Sequence, residues 1–459
     1  MKRLVSALAF CLIVAAGAGT AAGAQTADFR LPQTPAGKAV EAYFKAFNAG
    51  EEAMKAFFSG FISKEALQKT PLDVRLDRYR QMRGRLQSLE PQKLADARDN
   101  FVSVVARTGA GELVRLDFEF EAAAPFGLLG IRIEDMGGGG GQGPRPEPKK
   151  DDAELAEAVR AYAGRAVETG EFSGVILIAR NGKPFFEEAF GEADREKNVR
   201  NTTDTKFNVG SIDKTFTGLA IRELAAEKKL ALDDRLGKYL PDYPNKDAAA
   251  KVTIRHLLEM SSGIGDFFGD RYEAADKEKI LTLADYLPLF ADKPLEFEPG
   301  KGNKYSNGGY VVLGLIIEKV TGADYDSYIR DHVFKPAGMA DSGWSEKTAR
   351  MPGLAVGYER EGSAWKSNYD TLPGKGSSAG GGYSTARDLL NYTVALEKGI
   401  FGAAGESERG GFGIAGGAPG LNAAVEWDPQ RGVTIVVMAN LSPPSATGMA
   451  RQIRAWLPR

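Results

Sequence analysis

The chain has 459 residues, of which 43% are hydrophobic and 26% charged, which is globular composition and length enough for two or three domains. The formal net charge is −2, and acidic and basic residues are interleaved. No basic field is present to attract DNA, RNA or an anionic membrane, so we predict no nucleic-acid partner.

The first residues have the layout of a cleaved export signal. Lys2 and Arg3 precede an apolar run from Leu4 to about Ala16, and small residues follow as far as Ala24. A membrane helix needs about 18 apolar residues, more than this run provides. We predict a signal peptide over residues 1–24, a periplasmic or secreted bacterial protein, and no membrane span after cleavage. An uncleaved anchor is the alternative.

Cysteine and histidine usage limits the possible chemistry. Cys11, the only cysteine, lies inside the predicted signal, so the mature chain is expected to have no disulfide and no thiolate nucleophile. His256 and His332 are the only histidines, and neither has a second histidine at ligand spacing. We predict no metal site, and no motif implies an organic cofactor.

Residues 30–136 are predicted to form a small α+β domain. Val40, Tyr43, Phe44 and Phe47 follow the i, i+3, i+4, i+7 pattern of an amphipathic helix, and a second helical run follows. The stretch "LVRLDFEF" alternates apolar and polar residues as a half-buried strand does, and "LLGIRIE" is predicted as another strand. This pattern resembles the cone-shaped fold of the nuclear transport factor and SnoaL superfamily. We expect a docking or substrate-shaping role for it.

Residues 137–152 are predicted to be a linker. "GGGGGQGPRPEPKK" mixes flexible glycines with stiff prolines and has no apolar residue. A phosphate-binding loop would end in Lys-Ser or Lys-Thr and lead into a helix, which this stretch does not do.

The remaining segment, residues 153–459, begins and ends with strands. After a helix around Ala153 to Tyr162, "FSGVILIARNGKPFFEEAFG" predicts a hairpin turning at Asn181. A mostly helical stretch runs from about residue 216 to 398, followed by the strands "LNAAVEWDP" and "GVTIVVMANL" and a helix over residues 447–456. Strands from both ends are expected to join one antiparallel sheet, with the helical middle as a separate lobe across a cleft.

The stretch "FNVGSIDKTFTG" places Ser211 and Lys214 one turn apart at the start of a predicted helix. By spacing alone, a serine cap with a solvated lysine is the commoner arrangement. The alternative is a nucleophile and its base. The positive helix terminus favours a developing alkoxide, and burial would lower the pKa of the lysine amine.

A second polar group, Tyr305-Ser306-Asn307 in "KYSNGG", precedes another apolar helix. A tyrosine held near a lysine ammonium can have its phenol pKa lowered and so serve as a proton shuttle to the leaving group. The amide of Asn307 can bond both the lysine and a substrate carbonyl.

These two motifs, with the phrases "IRHLLEMSSGI", "FKPAGMADSGW" and "GGGYSTARDLL", resemble the serine β-lactamase and penicillin-binding-protein superfamily. The similarity is greatest to its branch of class C β-lactamases, family VIII esterases and D-aminopeptidases, and it covers residues from about Asp152 to the end. It implies an α/β fold with an antiparallel sheet flanked by helices plus a helical lobe. It also implies Ser211 as acylated nucleophile, Lys214 as base partner, Tyr305 as proton shuttle and Asn307 as substrate-positioning residue.

The family's third motif is altered in this chain. It is normally Lys-Thr-Gly or His-x-Gly on an edge strand, whereas "GIAGGAPGLN" places Ile414 at the leading position and Ala415 after it. The resemblance still implies that Gly416 and Gly417 bind substrate. The N–H of Gly417, with that of Ser211, would form the oxyanion hole.

The altered motif leaves three functional hypotheses. The first is an exported serine hydrolase that forms an acyl-enzyme with an ester or amide lacking a carboxylate, because Ile414 offers a carboxylate no partner. The second is a catalytically impaired module that binds a cell-wall or peptide ligand. The third is an active β-lactamase or D,D-peptidase, which needs another cation such as Lys375. A small-molecule or peptide substrate is expected as the partner.

Overall fold

A computed structural model describes residues 31–457 except 70–71, 99, 110, 112, 122–125, 136–147, 350 and 363. The chain divides into two compact units, Met1–Gly143 and Pro144–Arg459. The predicted signal peptide and most of the predicted linker lie outside the described residues. None of the helices in the described ranges is long and apolar enough to cross a membrane.

The first unit packs helices against one antiparallel sheet. Its apolar helix stripes, including Val40, Tyr43 and Phe47, are buried against strand residues such as Leu116 and Phe118. The α+β class is therefore as expected, and the resemblance to the cone fold remains a prediction. The helices are α1 (Pro35–Ala49), α2 (Glu51–Phe61), α3 (Lys64–Lys69) and α4 (Leu72–Leu86). The strands, paired in chain order, are β1 (Leu89–Arg98), β2 (Phe101–Thr108), β3 (Leu113–Phe120) and β4 (Leu128–Asp135).

The second unit contains a five-stranded antiparallel sheet. Its strands are β5 (Gly174–Arg180), β6 (Lys183–Phe190), β13 (Phe412–Ala418), β14 (Leu421–Asp428) and β15 (Val433–Ala439). They lie in the order β13-β14-β15-β5-β6, so strands from both ends of the segment join one sheet, which confirms the predicted fold class. Short pairs are formed by β7 (Glu192–Asp194) with β8 (Val199–Arg200), β9 (Phe207–Asn208) with β12 (Tyr383–Ser384), and β10 (Tyr358–Glu361) with β11 (Ala364–Ser367).

The predicted hairpin is confirmed: β5 and β6 pair across Asn181 and Gly182, which both have positive φ (49° and 71°), as a tight hairpin turn requires. Helix α5 (Asp152–Glu168) and helix α16 (Ser445–Trp456) cover one face of the five-stranded sheet. The other face packs on α6 (Asp213–Ala226), α15 (Ala386–Glu397) and the helical lobe.

The helical lobe is built from short helices around one long apolar helix, α12 (Asn307–Thr321). Eight of the nine residues from Gly309 to Ile317 are buried, so α12 forms the centre of the lobe. The lobe helices are α7 (Leu236–Tyr239), α8 (Lys246–Lys251), α9 (Ile254–Leu258), α10 (Asp270–Ala274), α11 (Leu283–Phe290), α12 (Asn307–Thr321), α13 (Tyr325–Ile329) and α14 (Lys335–Ala337).

Candidate active site

Ser211 lies in a single 3-10 turn, Gly210–Ile212, directly before α6. Ile212 occupies the cap position of α6, and no side chain there makes a capping bond. The Ser211 hydroxyl instead lies 3.2 Å from Lys214 Nζ and 2.6 Å from Tyr305 OH. Between the two interpretations of this motif, the geometry favours a nucleophile over a helix cap.

Lys214 is buried, with only 7% of its surface exposed, so it is not a solvated lysine. Burial lowers the pKa of its amine to about 7, against the opposing attraction of Asp213 and Asp266. The amine donates to Asn307 Oδ1 at 2.7 Å and to the carbonyl oxygen of Ala379.

These contacts orient the lysine amine. A neutral amine has two N–H donors and one lone pair, and both carbonyl oxygens, of Asn307 and Ala379, can only accept. With the two donors occupied, the lone pair is left for the third neighbour, Ser211 Oγ at 3.2 Å. Lys214 is thus arranged to accept a proton from Ser211.

Tyr305 presents its phenol to Ser211 at the mouth of the site, with half of its surface exposed. The pKa of the phenol is raised, first by burial and further by Asp266, although the Ser211 contact acts in the opposite direction. The lowering of the phenol pKa that a nearby ammonium can cause is therefore not found here. Lys214 Nζ lies 4.8 Å from the ring centroid, yet its charge does not overcome desolvation. A protonated phenol at neutral pH is a hydrogen-bond donor and an acid.

Asn307 is the first residue of α12, whose start is capped by Ser306 through Gly309 N–H at 2.9 Å. The expected bond between Asn307 and Lys214 is present. The other end of the amide, Nδ2, donates to Asp266 Oδ2 at 2.7 Å. Sequence reasoning missed Asp266; an acid two residues after the quoted phrase "IRHLLEMSSGI" was the available signal.

The third motif lies on β13, the edge strand of the sheet, as expected. Ile414 is half-buried and packs on the core, and Ala415 is exposed. A side chain at Gly416 would lie 1.9 Å from Val209 O and 2.8 Å from Ser211 N, so only glycine lets the strand approach the nucleophile this closely.

The register of β13 sets the direction of the Gly417 N–H. Ala418 pairs with Leu421 across a two-residue turn, so Gly417 and its partner Asn422 form a non-hydrogen-bonded pair. The N–H of Gly417 therefore points away from β14, toward the free edge. Asn422 Nδ2 also bonds Gly416 O at 2.8 Å, which holds this peptide plane. The arrangement is compatible with the predicted oxyanion role.

Lys375, which the third hypothesis names as a substitute for the cation missing at position 414, is bound to other residues. Its amine forms an ion pair with Asp326, and its carbonyl accepts from Tyr286 OH at 2.7 Å. His256 contributes to the cap of α9, and His332 Nδ1 lies 3.1 Å from Glu223. Within the described ranges no cluster of side chains is suited to a metal ion.

A second carboxylate, Asp213, is also beyond what sequence reasoning identified. It is 1% exposed and accepts the Gly382 N–H at 2.6 Å. Burial is the main cause that raises the pKa of this carboxyl to about 8. The bond between Asp213 and the Gly382 N–H holds the segment that carries Ala379, whose carbonyl oxygen binds Lys214, against the turn that carries Ser211.

Comparison with known proteins agrees with this geometry. The family model described as Beta-lactamase matches residues 155–409, more than half of the chain, and its match ends before β13 begins. The putative penicillin-binding protein PbpX of Bacillus subtilis is 33% identical over 225 residues, 49% of this chain and 55% of that protein. The chain thus spans about half the length of the curated relatives it matches, and less of some.

Solved structures show the same fold. A penicillin-binding protein from Bacillus halodurans is 28% identical with a TM-score of 0.58, covering 64% of this chain and 98% of that one. A D-amino acid amidase from Ochrobactrum anthropi is 22% identical with a TM-score of 0.56, covering 66% and 98%. The chain therefore belongs to the β-lactamase family, which is of serine hydrolase and acyltransferase type.

Proposed function

We propose that the second unit is a serine hydrolase that forms an acyl-enzyme on Ser211 with a neutral ester or amide. One observation carries this proposal: Lys214 Nζ and Tyr305 OH converge on Ser211 Oγ, at 3.2 and 2.6 Å, while both other lysine contacts are acceptors. No binding role requires a buried amine directed at a serine hydroxyl.

The mechanism follows from the position of each group. Neutral Lys214 takes the Ser211 proton as Oγ attacks the substrate carbonyl. The N–H groups of Ser211 and Gly417 stabilise the oxyanion. As the intermediate collapses, Tyr305 donates its proton to the leaving group and recovers one from the Lys214 ammonium through a water. Water then attacks the acyl-enzyme by the reverse sequence of transfers.

The charge of the site supports a neutral substrate. Ile414 stands where the family motif carries a cation, and Lys375 is paired with Asp326. Near Ser211, the amine and carboxyl side chains in the described contacts are Lys214, Asp213 and Asp266. The Lys214 amine already contacts Ser211, Asn307 and Ala379, and position 414 carries no cation, so a substrate carboxylate finds no partner there.

The altered third motif is also the observation that favours a second candidate, a module that binds or is slowly acylated without turnover. Ala415 offers no hydroxyl to a ligand and Ile414 no charge. An active β-lactamase or D,D-peptidase is the third candidate, and it would need a carboxylate-binding group from elsewhere.

A single comparison separates these candidates. The purified protein lacking residues 1–24 is incubated with a fluorophosphonate probe, a fluorescent penicillin, and p-nitrophenyl acetate or butyrate. Ester turnover with covalent labelling, both lost in Ser211→Ala, is expected. Ser407→Ala, which removes an exposed serine of the same unit, is the matched control and should behave as wild type. Labelling without turnover favours the binding module, and rapid penicillin hydrolysis overturns the argument from Ile414.

We further propose that the protein is exported, because the amino terminus has the pattern of a cleaved signal. Its test is amino-terminal sequencing of the protein expressed in a Gram-negative host. A mature chain beginning near Gln25 in the periplasmic fraction supports export. An uncleaved chain that sediments with membranes supports the anchor.

A further inference from the structure

Asp266, in the loop before α10, faces the site through the amide of Asn307. Its Oδ2 accepts from Asn307 Nδ2 at 2.7 Å, and the backbone N–H of Asn307 approaches the same oxygen at 3.4 Å. The other oxygen accepts from Phe268 N–H at 3.1 Å. The mechanism above gives this half-buried carboxylate no role of its own.

The carboxylate can control which way the Asn307 amide is turned. The two ends of an amide are alike in shape, but one donates and the other accepts. In the observed orientation Oδ1 accepts from Lys214 and Nδ2 donates to Asp266. The reverse orientation would place an amide oxygen against the carboxylate and an N–H against the lysine donors.

The loop that carries Asp266 is itself held to the start of α12. Ser306 Oγ donates to Gly265 O at 3.0 Å and accepts from Gly309 N–H at 2.9 Å. The serine that caps α12 therefore also fixes the residue before Asp266. Carboxylate and amide are presented to each other from two anchored backbones, so their contact is part of the fold.

We propose that Asp266 is a positioning residue that fixes the Asn307 amide with its oxygen toward Lys214, so that the lysine lone pair is directed at Ser211. The inference rests on the proposed function, because it assigns Asp266 to the same acylation step. Asp266 also occupies one of the two Asn307 N–H donors, which leaves a single donor for a substrate carbonyl.

Removing the charge has a second effect, with a predictable sign. The groups that act on the Lys214 amine are the carboxylates of Asp213 and Asp266, and the rings of Tyr305 and Tyr310 at 4.8 and 5.7 Å. Asp266 favours the protonated amine, so its neutralisation lowers the lysine pKa further. The acidic limb of the pH profile should then move to lower pH.

The test uses Asp266→Ala, Asp266→Asn, Asn307→Ala and the double variant Asp266→Ala/Asn307→Ala. The control, Asp270→Ala, removes an exposed carboxylate four residues further along the same segment. The readouts are kcat/KM for p-nitrophenyl butyrate and the rate of fluorophosphonate labelling from pH 5 to 9. Thermal unfolding of each variant checks that it is folded.

Asp266→Ala should lower kcat/KM about 10- to 100-fold, the usual effect of losing a hydrogen bond to a charged group. In the Asn307→Ala background it should cause no further loss, since Asp266 acts through that amide. Asp266→Asn, which can still accept from Asn307, should keep most activity while its acidic limb moves to lower pH. A loss below twofold in Asp266→Ala, or additive losses in the double variant, overturns the proposal.

If the wild-type protein shows neither turnover nor labelling, the proposed function is wrong, but the positioning role of Asp266 can still be tested. NMR of the Asn307 side-chain amide should then show one strongly deshielded N–H in wild type that is lost in Asp266→Ala and kept in Asp270→Ala. An amide signal unchanged by Asp266→Ala overturns the positioning role whatever the activity.

Discussion

The pH dependence of Ser211 acylation follows from the burial of Lys214. Desolvation lowers the pKa of this amine from 10.5 to about 7, although Asp213 and Asp266 both favour its charged form. At pH 7 about half of the molecules then carry a neutral amine, compared with about one in 3,000 for an unperturbed lysine. The difference corresponds to roughly 5 kcal/mol between the two protonation states.

The expected profile is a labelling rate that is level above about pH 8 and falls about tenfold per pH unit well below the midpoint near pH 7, because only the neutral amine accepts the serine proton. The assay is pseudo-first-order labelling with a fluorophosphonate at fixed ionic strength. It isolates acylation, since the adduct does not turn over.

Lys214→Arg is the matched perturbation, because arginine keeps the charge but stays protonated across this range. Labelling in this variant should fall at least a hundredfold, with no limb near pH 7. A wild-type rate independent of pH from 5 to 9, or a midpoint near 10, would refute the reasoning. A flat profile would mean that titration of this amine does not control acylation, and a midpoint near 10 would mean that burial does not lower its pKa.

Three further outcomes are expected. Gly416→Ala should abolish activity and lower the free energy of unfolding by about 1–3 kcal/mol, because its Cβ would lie 1.9 Å from Val209 O. Gly413→Ala, which places its Cβ in open space, should leave activity and thermal unfolding unchanged. Equal losses of activity and stability in the two variants would contradict the close approach of β13. Tyr305→Phe should slow methyl esters more than p-nitrophenyl esters, since only the poorer leaving group needs a proton, and equal slowing would exclude the shuttle role. Ile414→His should raise penicillin labelling or hydrolysis more than butyrate hydrolysis, and no gain would show that this position does not select substrates.

Much of the fold was predictable because its signals are local. The alternation of β3, the Asn-Gly turn between β5 and β6, and the apolar stripe of α1 each follow from residues close in sequence. The order β13-β14-β15-β5-β6 pairs β15 with β5, whose partner residues, such as Val433 and Arg180, are more than 250 residues apart in sequence. Only the family resemblance, together with the apolar character of strands at both ends of the segment, indicated that pairing.

In the site, the residue types were predictable but their electrostatics were not. The motifs identified Ser211, Lys214, Tyr305 and Asn307, and the structure brings all four together. The phenol pKa of Tyr305 is raised and not lowered because desolvation, which depends on the folded surroundings, is the largest influence on it. Asp266 was missed for a similar reason, since its contact with Asn307 spans 41 residues of sequence.

Acylation and substrate binding depend on different parts of this site. In the proposed mechanism, proton transfer from Ser211 uses Lys214 and Tyr305, and backbone N–H groups stabilise the oxyanion; none of these groups belongs to the leading position of the third motif. Ile414 lies on the same face of β13 as Gly416, so a cation there would act on the substrate beside the oxyanion hole. Its loss therefore changes which acyl compounds are bound without removing the groups that move protons. A chain altered in this way is expected to differ from its relatives in substrate charge rather than in chemistry.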